Sequence, residues 1–275
     1  MPSVLRRRSV PAVPAVSVAP AARVAATVRR QRDALALASQ AASHAGVRVT
    51  GRSAPPRAKR PGPAPAAGRV TPSVATRDLI FAAAAIHFSS HGYDGASVDS
   101  IAQDAGVNKA MIYYHFEGKL GLYRDVYRDM LRAVSGAAAD IATSPDSPPQ
   151  KIERFIQTLA QMRDARPWFP PLMMREMAAG GPRLDPDTLA LMRAVFVAFS
   201  SMLDAGVATR VFRKVHPVLA YMTIMGPLMM NAVRELAAAE PGRAHLPMFM
   251  PVDRRELVAH MQLTALRMLA KDQPR

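Results

Sequence analysis

Within a few positions of one another the sequence places Asn108, Lys109, Tyr113, Tyr114 and His115, with Ala110 and Met111 between them and Ser97 and Lys119 on either side. This set combines a carboxamide, cations, phenols, an imidazole and a hydroxyl, all able to donate hydrogen bonds. Carried on one short helix, such groups suit phosphate oxygens and the edges of bases in a DNA major groove. The competing reading is a tyrosine-rich helix buried in a bundle. Two adjacent tyrosines followed by a histidine cannot all face a core, because successive residues on a helix point in different directions.

The residues around this set have the types needed to hold such a helix in place. Ser97 is placed to cap a first helix, with Asp99 favourable in its first turn. Ile101 and Ala102 point inward, and Ala102 is small where two helices would cross. Gly106 supplies the left-handed backbone that ends the first helix. Val107 plugs the corner and Asn108 caps the second helix. Ile112 and Phe116, four residues apart, share the face that anchors this second helix to a core. The sum is a helix-turn-helix, with Asn108 to Met111 and Tyr113 to His115 looking outward.

The stretch from residue 76 to about 127 resembles the TetR family of transcriptional regulators. The resemblance rests on Phe88, His91-Gly92-Tyr93-Asp94-Gly95, Ala96-Ser97-Val98, Ile101-Ala102, Ala105-Gly106-Val107, Lys109-Ala110, Ile112-Tyr113-Tyr114-His115-Phe116 and Lys119-Leu120-Gly121-Leu122-Tyr123. It implies a three-helix head on a helical ligand-binding and dimerisation domain. It also implies phosphate contacts from Ser97, Tyr113, Tyr114, His115 and Lys119, and base or mixed contacts around Lys109 and Ala110. Glu117-Gly118 departs from the polar cap often found at that turn and puts a negative charge beside the DNA backbone.

Charge alone does not point to this head. The chain of 275 residues has a formal net charge of +15, but residues 1–72 hold thirteen Lys and Arg against the single acid Asp33. Residues 76–132, by contrast, carry six basic and seven acidic side chains. The first 72 residues contain no aromatic residue, no Ile and ten of the 24 prolines. That composition predicts a disordered basic extension. Its Arg-rich, acid-poor character also resembles a transit peptide, and an overlong gene start is a third reading. A disordered tail or a misplaced start is the expectation preferred over a targeting peptide.

From residue 73 the pattern is all-α. Helices are predicted over residues 74–91, 98–105, 109–115, 119–141, 150–165, 171–179, 187–209, 217–239 and 253–271, punctuated by Pro and Gly. On the first of these, Leu79, Ile80, Ala83, Ile86 and Phe88 are expected near one face. Pro227 inside the eighth predicts a kink. The division expected is a basic extension at 1–72, a helix-turn-helix DNA-binding domain at 73–120 and a helical ligand-binding and dimerisation domain at 121–275. No apolar run was expected to reach the length of a bilayer span, about 20 residues.

The C-terminal half is rich in methionine and aromatic residues. Trp168, Phe169, Met173, Met177, Met192, Phe196, Phe199 and Tyr221 are the candidate lining of an apolar ligand pocket, methionine adapting well to varied shapes; ordinary core packing is the alternative for each. Leu228, Val233, Leu257, Met261 and Met268 are candidates for a dimer interface. His87 and His91 have a metal-compatible spacing, but no second ligand cluster joins them, and no metal or cofactor is expected. The absence of Cys removes disulfides and thiolate chemistry and fits a reducing compartment. No phosphate-cradling loop, nucleophile elbow or carboxylate pair marks an enzyme.

The expected function is a homodimeric repressor in the bacterial cytoplasm, nucleoid-associated when bound, that leaves a palindromic operator when a small apolar or amphipathic inducer binds. The alternative is a largely non-specific architectural DNA binder driven by the basic tail.

Overall fold

The computed structural model describes residues 74–239, 243 and 246–271; the expectations for residues 1–72 lie outside them. The described residues form helices joined by short turns, with a single isolated bridge between Phe212 and Ala270. We number the helices α1 Val74–Gly95, α2 Val98–Asp104, α3 Ala110–Phe116, α4 Lys119–Thr143, α5 Pro148–Ala165, α6 Phe169–Ala178, α7 Pro186–Ala208, α8 Pro217–Ala238 and α9 Arg254–Leu269.

α1 is broken where the sequence placed its stop: Gly92 has φ 72° and ψ −178°. The alanine run packs closely, so Ala83, Ala84 and Ala85 are buried beside Ile80 and Phe88. Leu79 and Ile86, expected on that inward face, are instead exposed, because Ile80, Ala84 and Phe88, four apart, set the buried stripe to one side of them.

Three helices start earlier than the sequence pattern suggested, for one reason. Proline lacks an N–H, which is no loss in a first turn, where that group has no partner inside the helix. Pro148 therefore opens α5, where a break was expected, and Ser147 and Gln150 form a capping box around it. Pro170 likewise sits in the first turn of α6, and Pro186 opens α7 behind the Asp185 cap. Pro227 lies inside α8, which continues through it.

α4 is the shared spine. α1 and α3 pack on its beginning, α5 and α6 on its flank, and α7 runs along it in the most extensive helix pairing of the fold. One cluster of buried side chains runs from Ile80, Phe88 and Phe116 through Tyr123 and Tyr127 to Phe155, Phe199 and Leu269. By length and composition α7 could cross a membrane, although Arg193 interrupts its apolar run. It has a packed side here: Val195, Phe199, Met202 and Leu203 are buried against the other helices.

Candidate nucleic-acid interface

The helix-turn-helix forms with the local bonds the sequence called for. The Ser97 hydroxyl accepts from the Asp99 and Ser100 amides. Gly106 takes φ 67°, a left-handed conformation that favours glycine, and the Val107 amide closes the corner on the Ala102 carbonyl at 3.0 Å. Asn108 Oδ1 accepts from the Ala110 amide at 2.8 Å, relieving an otherwise unpaired donor in the first turn of α3. Ile112 and Phe116 are buried and fix the helix from below.

Above them, Asn108, Lys109, Ala110, Tyr113 and Tyr114 are exposed, with Ser97 beside them. Two residues expected on this face are set differently. Met111 packs half-buried against the core, and His115 is half-buried with its Nε2 enclosed and its ring edge-on to Tyr114. A helix only seven residues long has no room for all seven side chains to look outward once Ile112 and Phe116 face in.

Lys109 Nζ lies 2.9 Å from the Asp99 carboxylate in an exposed ion pair across the turn, and the hydrogen bond to Asp99 raises the lysine pKa. Lys119, at the start of α4, sits with Nζ 4.5 Å above the Tyr93 ring, a cation–π contact. The turn between α3 and α4 is tight: Glu117 has φ 58° and Gly118 φ 95°. His87 pairs with Asp104 at 2.7 Å and so ties α1 to α2. In sequence the spacing of His87 points only to His91; its partner Asp104, seventeen positions away, becomes evident when the two helices cross.

Below the head the joint to the rest of the molecule is polar and aromatic. Arg77 of α1 pairs with Asp125 of α4 at 2.6 Å and lies over the Phe116 ring. Arg175 of α6 donates to the Ser89 carbonyl of α1. Arg183, in the turn after α6, reaches Asp94 at 2.7 Å and stands 4.6 Å over Tyr93. The buried Tyr123 donates to Glu176 Oε2 at 2.7 Å, and Tyr127 to the Leu172 carbonyl at 2.9 Å. Burial, above all, pushes both phenols well above their ordinary pKa, so they remain donors.

The eight candidate ligand residues do not form one ring-to-ring cluster. Trp168 packs edge-on to Phe81 of α1, and Phe169 against Tyr127, which places both at the joint. Phe196 and Phe199 of α7 meet Tyr221 of α8, with Phe155 behind Phe199. Burial pushes the Tyr221 hydroxyl up to about 12. Met173 and Met192 are half-buried, and Met177 is exposed. An open polar cleft of about 480 Å³ between α5 and α9 is lined by Gln157, Gln161, Arg254, Arg255 and Gln262, and none of the eight borders it.

Two of the candidate dimer residues, Leu228 and Met261, belong to the core. The apolar side chains that α8 leaves exposed include Leu219, Met222 and Met230, with the exposed Thr223, Gly226 and Pro227 beside them, and also Val218 and Leu236; Leu263 is exposed on α9.

A short helix held by buried anchors, turned outward on a capped corner and joined to a helical body, defines a helix-turn-helix DNA-binding architecture. Residues 80–126 match the family model described as "Bacterial regulatory proteins, tetR family". Over this head the chain is similar to the TetR family of regulators. It is 34% identical over 93 residues to the HTH-type transcriptional repressor SCO4008 of Streptomyces coelicolor, covering 34% of this chain and 45% of that one. It is 37% identical over 90 residues to the HTH-type transcriptional activator FasR of Mycolicibacterium smegmatis, covering 32% and 41%. These matches thus span less than half the length of either relative. Among solved structures, a tetR-family regulatory protein from Rhodococcus RHA1 aligns with TM-score 0.59 at 18% identity, over 74% of this chain and 100% of that one. The ketosteroid transcriptional regulator KstR2 of Mycobacterium tuberculosis aligns with TM-score 0.57 at 18% identity, over 71% and 95%. At such identities the two structures speak for the fold.

Proposed function

We propose that this chain is a homodimeric transcriptional repressor of the bacterial cytoplasm that reads a palindromic operator through α3 and is released when an apolar or amphipathic small molecule binds its helical body. The observation that carries the reading is the outward face of α3, where Asn108, Lys109, Tyr113 and Tyr114 stand exposed over the buried Ile112 and Phe116. Lys119 and Tyr113 serve the phosphates, together with Ser97 and Tyr114, while Lys109, Ala110 and Asn108 approach base edges. A second copy is supported by the uncharged stripe of Leu219, Met222 and Met230, since contiguous apolar surface of this kind marks association sites. Two heads related by a two-fold axis then meet half-sites about 34–36 Å apart.

For the inducer, Phe196 and Tyr221 supply an apolar wall with one phenol as a polar handle, backed by the buried Phe199, and Met192 an adaptable edge. Trp168, Phe169, Met173 and Met177 extend the candidate lining toward the joint, where occupancy would bear on α4 and hence on the heads. Selection of bound DNA from a random pool tests the core of the proposal. Enrichment of a palindrome with half-sites one helical turn apart is the expected result, and no enrichment over random DNA overturns it.

The placement of charge favours a second contribution to binding. The head and α4 as far as Arg132 have one more acid than base, whereas residues 1–72 carry nearly all of the chain's excess positive charge. The extension then adds sequence-independent phosphate contacts. Deleting residues 1–72 flattens the salt dependence of binding, and equal slopes with and without it refute this contribution.

A further inference from the structure

We propose that Glu176 and Arg183 are positioning residues that set the angle of the DNA-reading head on the helical body. The argument begins with the turn after α6. Gly180 and Gly181 both have positive φ, 82° and 72°, so the chain doubles back on the helix it has just left. The Gly181 amide returns to the Glu176 carbonyl at 2.9 Å, and the Arg183 amide reaches Glu176 Oε1 at 2.9 Å.

Glu176 is 1% exposed. A carboxylate taken so far from water persists only where hydrogen bonds replace its hydration. Here they come from three directions: the Arg183 amide, the Arg183 guanidinium at 3.4 Å and the Tyr123 hydroxyl of α4. The buried acid therefore pins α4 and the turn to α6 together.

Arg183 extends that pin to the head. Its carbonyl accepts from Arg124 Nε of α4 at 3.0 Å. Its guanidinium reaches Asp94 at 2.7 Å and lies over Tyr93, both in the segment between the Gly92 break and the Ser97 cap of α2. One residue thus touches α6, α4 and the entry to the helix-turn-helix through separate groups. Lys119 shares the Tyr93 ring, so a displacement of Arg183 acts beside the phosphate-facing start of α4 as well. None of these groups lies on the outward face of α3. Their effect on DNA is exerted through geometry.

The proposal rests on reading the head as the DNA-binding part, but its test is made without DNA. The chain contains no cysteine, so Gln103→Cys in α2 and Ala190→Cys in α7, both exposed positions, accept a pair of spin labels in the full chain. Dilution with unlabelled chain confines the measured distance to one protomer. Against the parent, Arg183→Ala and Asp94→Asn are each expected to move the mean head-to-body distance, or widen its distribution, by about 1–2 Å or more, the scale of helix shifts in switching proteins. Glu176→Gln is expected to move it in the same way. Should Arg183→Ala fail to fold, Asp94→Asn decides alone, since the Asp94 side chain is 83% exposed and its loss leaves the core untouched. A distribution for Asp94→Asn, or for a folded Arg183→Ala, that overlays the parent overturns the proposal. A failed DNA selection with a moved distance would instead count against the function assigned to the head.

Discussion

Gly121, in the first turn of α4, lies so close to the end of α3 that a methyl group on it would stand 1.8 Å from the Phe116 carbonyl oxygen. The missing side chain lets the spine of the molecule begin directly against the recognition helix. Gly121→Ala must push that carbonyl aside, and with it the C-terminal end of α3. Overpacking of this sort costs about 1–3 kcal/mol, so the melting temperature should fall and binding to a selected operator should weaken with it. An unchanged melting curve would show that the joint yields freely.

The outward residues of α3 divide by what they are expected to touch. Tyr113→Phe and Lys119→Ala each remove a phosphate donor, and binding should weaken by a similar factor on every DNA sequence, with Lys119→Ala also flattening the salt dependence by about one unit of slope. Lys109→Ala should in addition alter the bases preferred at one position in each half-site. Repeating the DNA selection with each variant checks this. A Lys109→Ala protein that selects the parental sequence would place Lys109 on the backbone.

Glu117 holds a left-handed backbone without being glycine and carries a negative charge between α3 and α4. Glu117→Lys reverses that charge while keeping a side chain at the same backbone position. Binding at low salt should strengthen, and the salt slope should steepen by about one if the new cation meets a phosphate. A titration from low to moderate salt reads this directly; identical slopes would mean that the turn stands away from DNA.

The parts of this molecule governed by local rules could be read from the sequence, and those made by contact between distant residues could not. Ser97, Gly106 and Asn108 act through their own backbone neighbourhood, so the helix-turn-helix was predictable to within a residue or two. α5 and α6 start two residues earlier than the pattern suggests, because Pro148 and Pro170 read as breaks in sequence and stand in the first turns of these helices. His87 with Asp104, Glu176 with Tyr123 and Gly121 with Phe116 are pairings across elements, with no periodicity to announce them. The candidate ligand residues show the same limit. An aromatic residue on an apolar face looks alike in sequence whether it lines a cavity, packs the core as Phe199 does, or braces a joint as Trp168 does against Phe81.

Asp185 caps α7 and links it to α4. Burial favours its neutral form, but the Thr188 hydroxyl and amide together with Arg128 and Arg124 outweigh this, and its pKa is lowered. A depressed carboxyl pKa contributes stability that is fully present above the unfolded-state value and is lost as pH falls through the folded-state one. The window is therefore below about pH 4, the ordinary range of aspartate. Asp185→Asn keeps a capping oxygen and loses the charge. It should melt lower than the parent at neutral pH and show a shallower loss of melting temperature between about pH 4 and pH 2. Parallel curves across that range would remove Asp185 from the acid sensitivity of the fold.

Met222 and Met230 of α8 are each 61% exposed, and Leu219 is 63% exposed on the same stripe. The two methionines are eight positions apart, about 80° around the helix with Leu219 between them in angle, and together they present a surface to which a second copy can pack. Met222→Glu puts a charge where a dimer would exclude water, and two copies meeting on a two-fold axis would bring two such charges close together. The monomer's own packing should be untouched, because this side chain contributes little to the core. Sedimentation should then report a monomer with parental helix content, and affinity for a palindrome should fall far more than affinity for a single half-site. A Met222→Glu protein that still sediments as a dimer would move the interface off this stripe.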